Sequence, residues 1–249
     1  MLKNSLLTFL GLLAGTTLGL PTNPNPNPQD LSPRQASPLS TLTTTLACAT
    51  KAQKTPGDAD SGRGVQIKNA DTAARTFWLY HNSCDAVPAR YVTIPAGQTR
   101  FLSLPARFEG RIVRGVEGVM LDGKSHTLNT WLELTYDERG VGWGDVSLIR
   151  GCDGAVSLKA LDAAGATTGF ADSNLVLNGA PAGAYDTKPS GSRVIRATEG
   201  VDAKINTVPR DWLASKIGFK KAYLDDDHGS PVIAAQNGRF LATFHVGRP

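Results

Sequence analysis

The stretch WLELTYDERGVGWGDVSLI, residues 131–149, decides how the chain is read. Its first six residues alternate. Leu132 and Leu134 fall on one side, and Trp131, Glu133 and Thr135 on the other, which is the period of a half-buried strand. Asp137, Glu138, Arg139 and Gly140 then supply a turn, and a second apolar run follows at 146–149. Two such runs joined by a short polar connection predict a β-hairpin.

The pattern continues on both sides of the hairpin. Runs rich in β-branched or aromatic residues occur at 65–69, 76–80, 90–94, 101–104, 111–113 and 155–158, and a last one at 240–246 follows an Asn237-Gly238 turn. Turn residues separate them: Asn69 to Asp71, Asn82-Ser83, Pro95 to Gly97, and Pro105. Short strands at this spacing predict an all-β sandwich or barrel. One helix is expected at 209–220, with Pro209 in its first turn, Gly218 at its stop, and Trp212, Leu213, Ile217 and Phe219 on its buried side. Residues 161–193, rich in Ala, Gly, Asp and Thr, read as loop.

The ends of the chain set its organisation. Lys3, the apolar stretch from Leu6 to Leu13 and the small residues 14–19 form a signal peptide over residues 1–20, too short to span a membrane. Residues 21–63 hold six prolines between Pro21 and Pro38, a Ser/Thr cluster, and a Gly/Asp-rich end. They read as a flexible leader suited to O-glycosylation, with Arg34 and Arg63 as candidate processing points. The domain proper is expected over 64–249. The whole chain of 249 residues carries 26 Lys+Arg against 22 Asp+Glu, a net charge of +4 without any basic run. Nucleic acid is therefore not an expected partner, and no later stretch could span a bilayer. Of the three cysteines, Cys84 and Cys152 lie in the expected domain, so the expected disulfide joins them and leaves Cys48 as the spare. No Cys/His spacing points to zinc, and no metal or cofactor is expected.

Several stretches, in order, resemble the thaumatin-like proteins. VQIKN at 65–69 leading to TFW at 76–78 is similar to the family's opening strand. PAGQ at 95–98, Pro105-Ala106 and GRIVR at 110–114 resemble its P-G-Q…P-A…G-R-I-W-x-R segment. LELTY at 132–136 with DVSLIRG at 145–151 resembles its central hairpin. FKKAY at 219–223, the Asp225/Asp226 pair, and NGRF at 237–240 with Thr243-Phe244 resemble its end. The zone 161–209 departs from the pattern: the family is cysteine-dense there, and this chain has no cysteine. A divergent, cysteine-poor, fungal-type member is what the resemblance implies.

It also implies a flattened antiparallel sandwich with an acidic cleft lined by an Arg, a Glu and three Asp. The Arg falls at Arg114 to within one residue, the Glu on Glu133, and the first Asp on Asp145. The second Asp position holds Arg150, and the last falls in the Asp225/Asp226 pair. Trp131 or Trp143 would stack on a pyranose ring. Glycoside hydrolysis needs two carboxyls across the scissile bond, and Glu133 and Asp145 are the candidates. A guanidinium beside a carboxylate lowers its pKa by roughly 1–3, whereas a general acid needs a raised one, so Arg150 argues against turnover. The alternative of a metal held by Asp225, Asp226, Asp227 and His228 is weak, because consecutive side chains rarely point at one centre.

The expectation is a secreted, extracellular or wall-associated protein that acts as a monomer. It binds cell-wall polysaccharide (β-glucan) or a host or competitor surface in a defence or effector role, without turnover. A β-1,3-glucan hydrolase and a structural or antigenic wall protein are the alternatives.

Overall fold

A computed structural model describes residues 48–84, 86–116, 128–200 and 202–249. The expected signal peptide and the Pro-rich part of the expected leader lie outside the described residues. The alternation read at 131–136 is the one observed: Leu132, Leu134 and Tyr136 are buried, while Trp131, Glu133 and Thr135 face the other way. Their strand sits in a seven-stranded sheet, in the order β1 (Gln53–Lys54), β4 (Arg90–Ile94), β3 (Arg75–His81), β6 (Glu109–Gly115), β7 (Trp131–Tyr136), β8 (Gly142–Ser147) and β13 (Ile233–Ala235). A five-stranded sheet packs against it, in the order β10 (Thr167–Gly169), β9 (Gly154–Ala160), β14 (Arg239–Gly247), β2 (Gly64–Ala70) and β5 (Thr99–Ser103). A separate ribbon pairs β11 (Tyr185–Thr187) with β12 (Arg193–Ile195).

The core lies between the two large sheets. Phe77, Leu79, Ile112, Leu132 and Val146 from one meet Val65, Ile67, Val156, Phe240 and Phe244 from the other, all buried. Phe77 and Phe244 bring their ring centroids to 4.8 Å. Each such side chain contributes roughly 1.5–3 kcal/mol by leaving water. The two sheets approach closely because β8 places glycines inward: a Cβ on Gly144 would stand 2.7 Å from Leu158 Cδ2, and one on Gly142 2.7 Å from Phe240 Cε2. These glycines make the start of β8 look like a turn, so the expected strand began at Val146, four residues late.

The sandwich is not purely antiparallel. β14 runs antiparallel to β9 but parallel to β2, and β1 runs parallel to β4. The last long strand thus lies beside the first one, with both edges of β14 paired. The helix α2 spans Thr207–Ile217, with Leu213 buried and Trp212 Nε1 donating to the Val176 carbonyl at 2.8 Å. It begins two residues before Pro209, which is tolerated in the first turn where no intrahelical donor is needed, and it ends at Gly218 with φ 72°. The zone expected as loop holds β10, β11, β12 and a five-residue helix α1 (Ser173–Leu177), capped by Asp172. These elements are too short to show a period. Among the described residues no helix is long and apolar enough to cross a membrane.

One expectation about the N-terminal side changes, and described residues upstream of Gly64 pair with the sheets. Thr55 N–H bonds the Tyr91 carbonyl at 2.8 Å, and Asp58 accepts from Arg90 Nη1 at 2.8 Å and from Ser103 N and Oγ at 2.7 Å each. The polar Gly/Asp stretch thus finds partners on β4 and β5. The disulfide joins Cys48 to Cys84, with Cα atoms 5.3 Å apart, and Cys152 is the free thiol. The expected Cys84–Cys152 pair fails because Cys152 is buried where Thr130 Oγ1 donates to its sulfur, while its backbone pairs with Ile195. Burial pushes that thiol up to about 11.

Candidate functional site

The outer face of the seven-stranded sheet carries its polar residues in rows, because cross-strand neighbours stand opposite one another. The central row runs Tyr80, Arg111, Glu133, Asp145 across β3, β6, β7 and β8. On one side of it lies Trp78, Val113, Trp131, Ser147; on the other, Glu109, Thr135, Trp143, Ala234. Glu133 and Asp145 are thus direct neighbours on one face, as a two-carboxyl site requires.

Their electrostatics follow from position. Both are half-buried. Burial raises the Glu133 pKa; Arg111 and a hydrogen bond from Ser147 pull it back, Asp226 pushes it further up, and Arg150 lowers it again. The net direction is upward. For Asp145, burial and then the Glu133 charge push the carboxyl up to about 8, and its Oδ1 has no hydrogen-bond partner among the described residues. Near neutral pH the row therefore holds a carboxylic acid able to donate a hydrogen bond. Arg150 does lower the Glu133 carboxyl, in the expected direction, but burial outweighs it.

Glu133, Asp145, Arg150 and Asp226 come together. The Ser147–Tyr223 bridge, with Tyr223 N–H on the Val146 carbonyl at 2.8 Å, lays the 223–226 segment beside the end of β8. Asp226 N–H then donates to Glu199 Oε1 at 2.8 Å. Trp143 is half-buried on the same face, two positions from Asp145. Trp131 is also there, but the Arg111 guanidinium lies 4.3 Å over its ring, so one ring face is already covered.

Arg114 and Asp225 lie elsewhere. Arg114 shares the inward face with Ile112 and is fully buried, with Nη2 3.2 Å from Asp153 Oδ1 and a second donation to the His245 carbonyl. Lys188 Nζ reaches Asp153 Oδ2 at 3.1 Å. Burial pushes the Asp153 carboxyl up, but Lys188 and Arg114 outweigh it and hold the group below its usual value. Asp225 is buried and paired with Arg210 Nη1 at 2.7 Å, and it accepts from His228 N–H at 2.9 Å. Burial raises its pKa, and the Arg210 and His228 hydrogen bonds more than offset this. Asp225 therefore closes a turn, and among the described residues no three His, Cys, Asp or Glu converge as metal ligands.

The cation of the row is Arg111, three residues from the expected one. Its Nη1 lies 3.5 Å from Asn82 Oδ1, and it spans the Tyr80 and Trp131 rings. The signal was available: apolar Ile112 marks the even-numbered residues of β6 as the inward phase, so odd-numbered Arg111 shares the face of Glu133. Ser147 was missed too, because a serine in an apolar run carries no pattern of its own.

The class defined by this fold and face is a mostly β, two-sheet sandwich with a carboxyl row on its outer surface. Among solved structures the chain is similar to the protein elicitor MoHrip2 from Magnaporthe oryzae, at 12% identity and a TM-score of 0.38, over 74% of this chain and 98% of that one. It is also similar to the thaumatin-like xylanase inhibitor TLXI, at 11% identity and a TM-score of 0.39, over 72% and 97% of the two chains. No protein-family model matches the chain, and no curated protein matches it in sequence.

Proposed function

We propose that this is a secreted protein of thaumatin-like type that binds cell-wall polysaccharide on the outer face of the seven-stranded sheet, without turnover, in a defence or effector role. The observation that carries the reading is the Glu133–Asp145 pair in register beside Trp143. Sugar hydroxyls are donors and acceptors at once, and a neutral Asp145 next to Glu133 offers both kinds of partner. Trp143 supplies an aromatic surface for the apolar face of a pyranose. The test is depletion of the protein from solution by insoluble β-glucan. Trp143→Ala and Glu133→Gln should each weaken retention at least fivefold. Retention that is absent in the parent, or unchanged in both variants, sinks the reading.

One observation favours a β-1,3-glucan hydrolase as the second reading. Asp145 keeps its proton up to about 8, as a general acid must. Retaining enzymes hold their two carboxyls about 5–5.5 Å apart, and directly opposed residues in a sheet have Cβ atoms roughly 4.5–5.5 Å apart. Against it, Glu133 is raised as well, which weakens it as the anionic nucleophile. Reducing-sugar release from laminarin, lost in Glu133→Gln and in Asp145→Asn, would reverse the order of the two readings.

A further inference from the structure

A groove of about 260 Å³ opens beside the carboxyl row, lined among others by Arg150, Asp186, Arg196, Glu199, Gly200 and Asn206. Its wall is tied to the row, since Glu199 holds the backbone of Asp226, in the segment that the Ser147–Tyr223 bridge lays beside β8. Two guanidiniums and two carboxylates line it, so net charge does not decide what it takes. The internal bonds do.

Glu199 is buried and engaged by the Asp226 N–H. Asp186 and Arg196 form a loose ion pair at 3.7 Å, each side chain nearly half exposed. Exposed pairs of this kind contribute about 0–1 kcal/mol, so Arg196 can turn to another anion at little cost. Arg150 is half-buried, and its Nη1 reaches only the Gly200 carbonyl at 3.4 Å, the outer limit of a hydrogen bond. Among the described residues it makes no ion pair. A partly desolvated guanidinium with donors to spare, in a concavity that also holds a second one, matches a planar carboxylate, which accepts two parallel N–H bonds from Arg.

We propose that this groove is an anion-binding subsite that takes the carboxylate of an acidic sugar, a hexuronate unit within a polysaccharide whose next unit lies over Glu133 and Asp145. The inference rests on the polysaccharide-binding reading and names the class of glycan. The volume suits one sugar ring, and Arg150, which lines the groove and follows the end of β8 that carries Asp145, joins the two subsites into one path.

The test is calorimetric titration of the full chain with an oligogalacturonate, its methyl ester, a laminari-oligosaccharide and inorganic phosphate. The oligogalacturonate should bind at least tenfold more tightly than its ester, and phosphate more weakly than either. Arg150→Gln should remove the preference for the acid while leaving the far-UV circular dichroism unchanged. Lys204→Gln, which alters an exposed lysine outside the groove, should preserve that preference. Equal binding of acid and ester, equal binding of phosphate alone, an undiminished preference in Arg150→Gln, or the same loss in Lys204→Gln overturns the subsite. If the ester and laminari-oligosaccharide still bind through Trp143, the broader reading survives that result. If no glycan binds, both fall together.

Discussion

Asp145→Asn should make the protein's stability less sensitive to pH, in a direction opposite to the usual carboxylate. The folded state holds the Asp145 proton up to about 8, against an ordinary value of 3.8. Between those two values the folded chain binds more protons than the unfolded one. Stability from this group is therefore greatest on the acid side and falls as pH rises, by about 1.4 kcal/mol per pH unit. From pH 5 to pH 8 the loss comes to about 4 kcal/mol, a large share of the 5–15 kcal/mol typical of a domain. Asparagine keeps the size and the hydrogen-bonding shape of the neutral acid and cannot ionise. Urea unfolding followed by tryptophan fluorescence, with the disulfide intact, measures both proteins at pH 5, 6, 7 and 8. The variant should gain on the parent steadily, by about 4 kcal/mol over that range, and Glu133→Gln should reduce the parent's slope, because the Glu133 charge is part of the cause. A stability difference that stays constant from pH 5 to pH 8 would refute the burial argument for Asp145.

Three further predictions concern the frame. Replacing Cys48 or Cys84 with Ala opens a loop with a sequence separation of 36 and should cost about 4 kcal/mol by chain entropy, while Cys152 in the native parent should resist thiol reagents until the protein unfolds; differential scanning calorimetry and mass-detected alkylation read the two effects. Gly144→Ala puts a methyl 2.7 Å from Leu158 Cδ2 and 2.9 Å from Leu134 Cδ2, so it should destabilise by roughly 1–3 kcal/mol as an overpacked site does, and an unchanged urea midpoint would contradict the close approach of the sheets.

What the sequence made legible was whatever repeats at short range. The period-2 pattern at 131–136 oriented β7 correctly and thereby put Glu133 on the open face. The same rule, carried to the adjacent strand β6, selects Arg111 over Arg114, which lies on the inward phase. Gly142 and Gly144 hid half of β8, because inward glycines serve the packing between sheets and leave no local pattern. The choice between Asp225 and Asp226 needed Arg210, fifteen residues upstream on α2, whose guanidinium claims the first of the pair. The cysteine pairing went astray for a related reason. Polar, Gly-rich residues at 57–64 look unable to fold alone, and their partners, Arg90, Ser103 and Arg239, are distant in the chain.

The Cys48–Cys84 bond also bears on how the chain behaves when cut. Arg63 lies inside the span that the bond closes, so cleavage there produces a new end without releasing anything. The piece ending at Arg63 stays fastened to the sandwich through Cys48, and gel electrophoresis separates the two parts only after reduction. Release of the piece that ends at Arg63 therefore takes two separate events, hydrolysis at Arg63 and reduction of the Cys48–Cys84 bond, and neither alone sets it free.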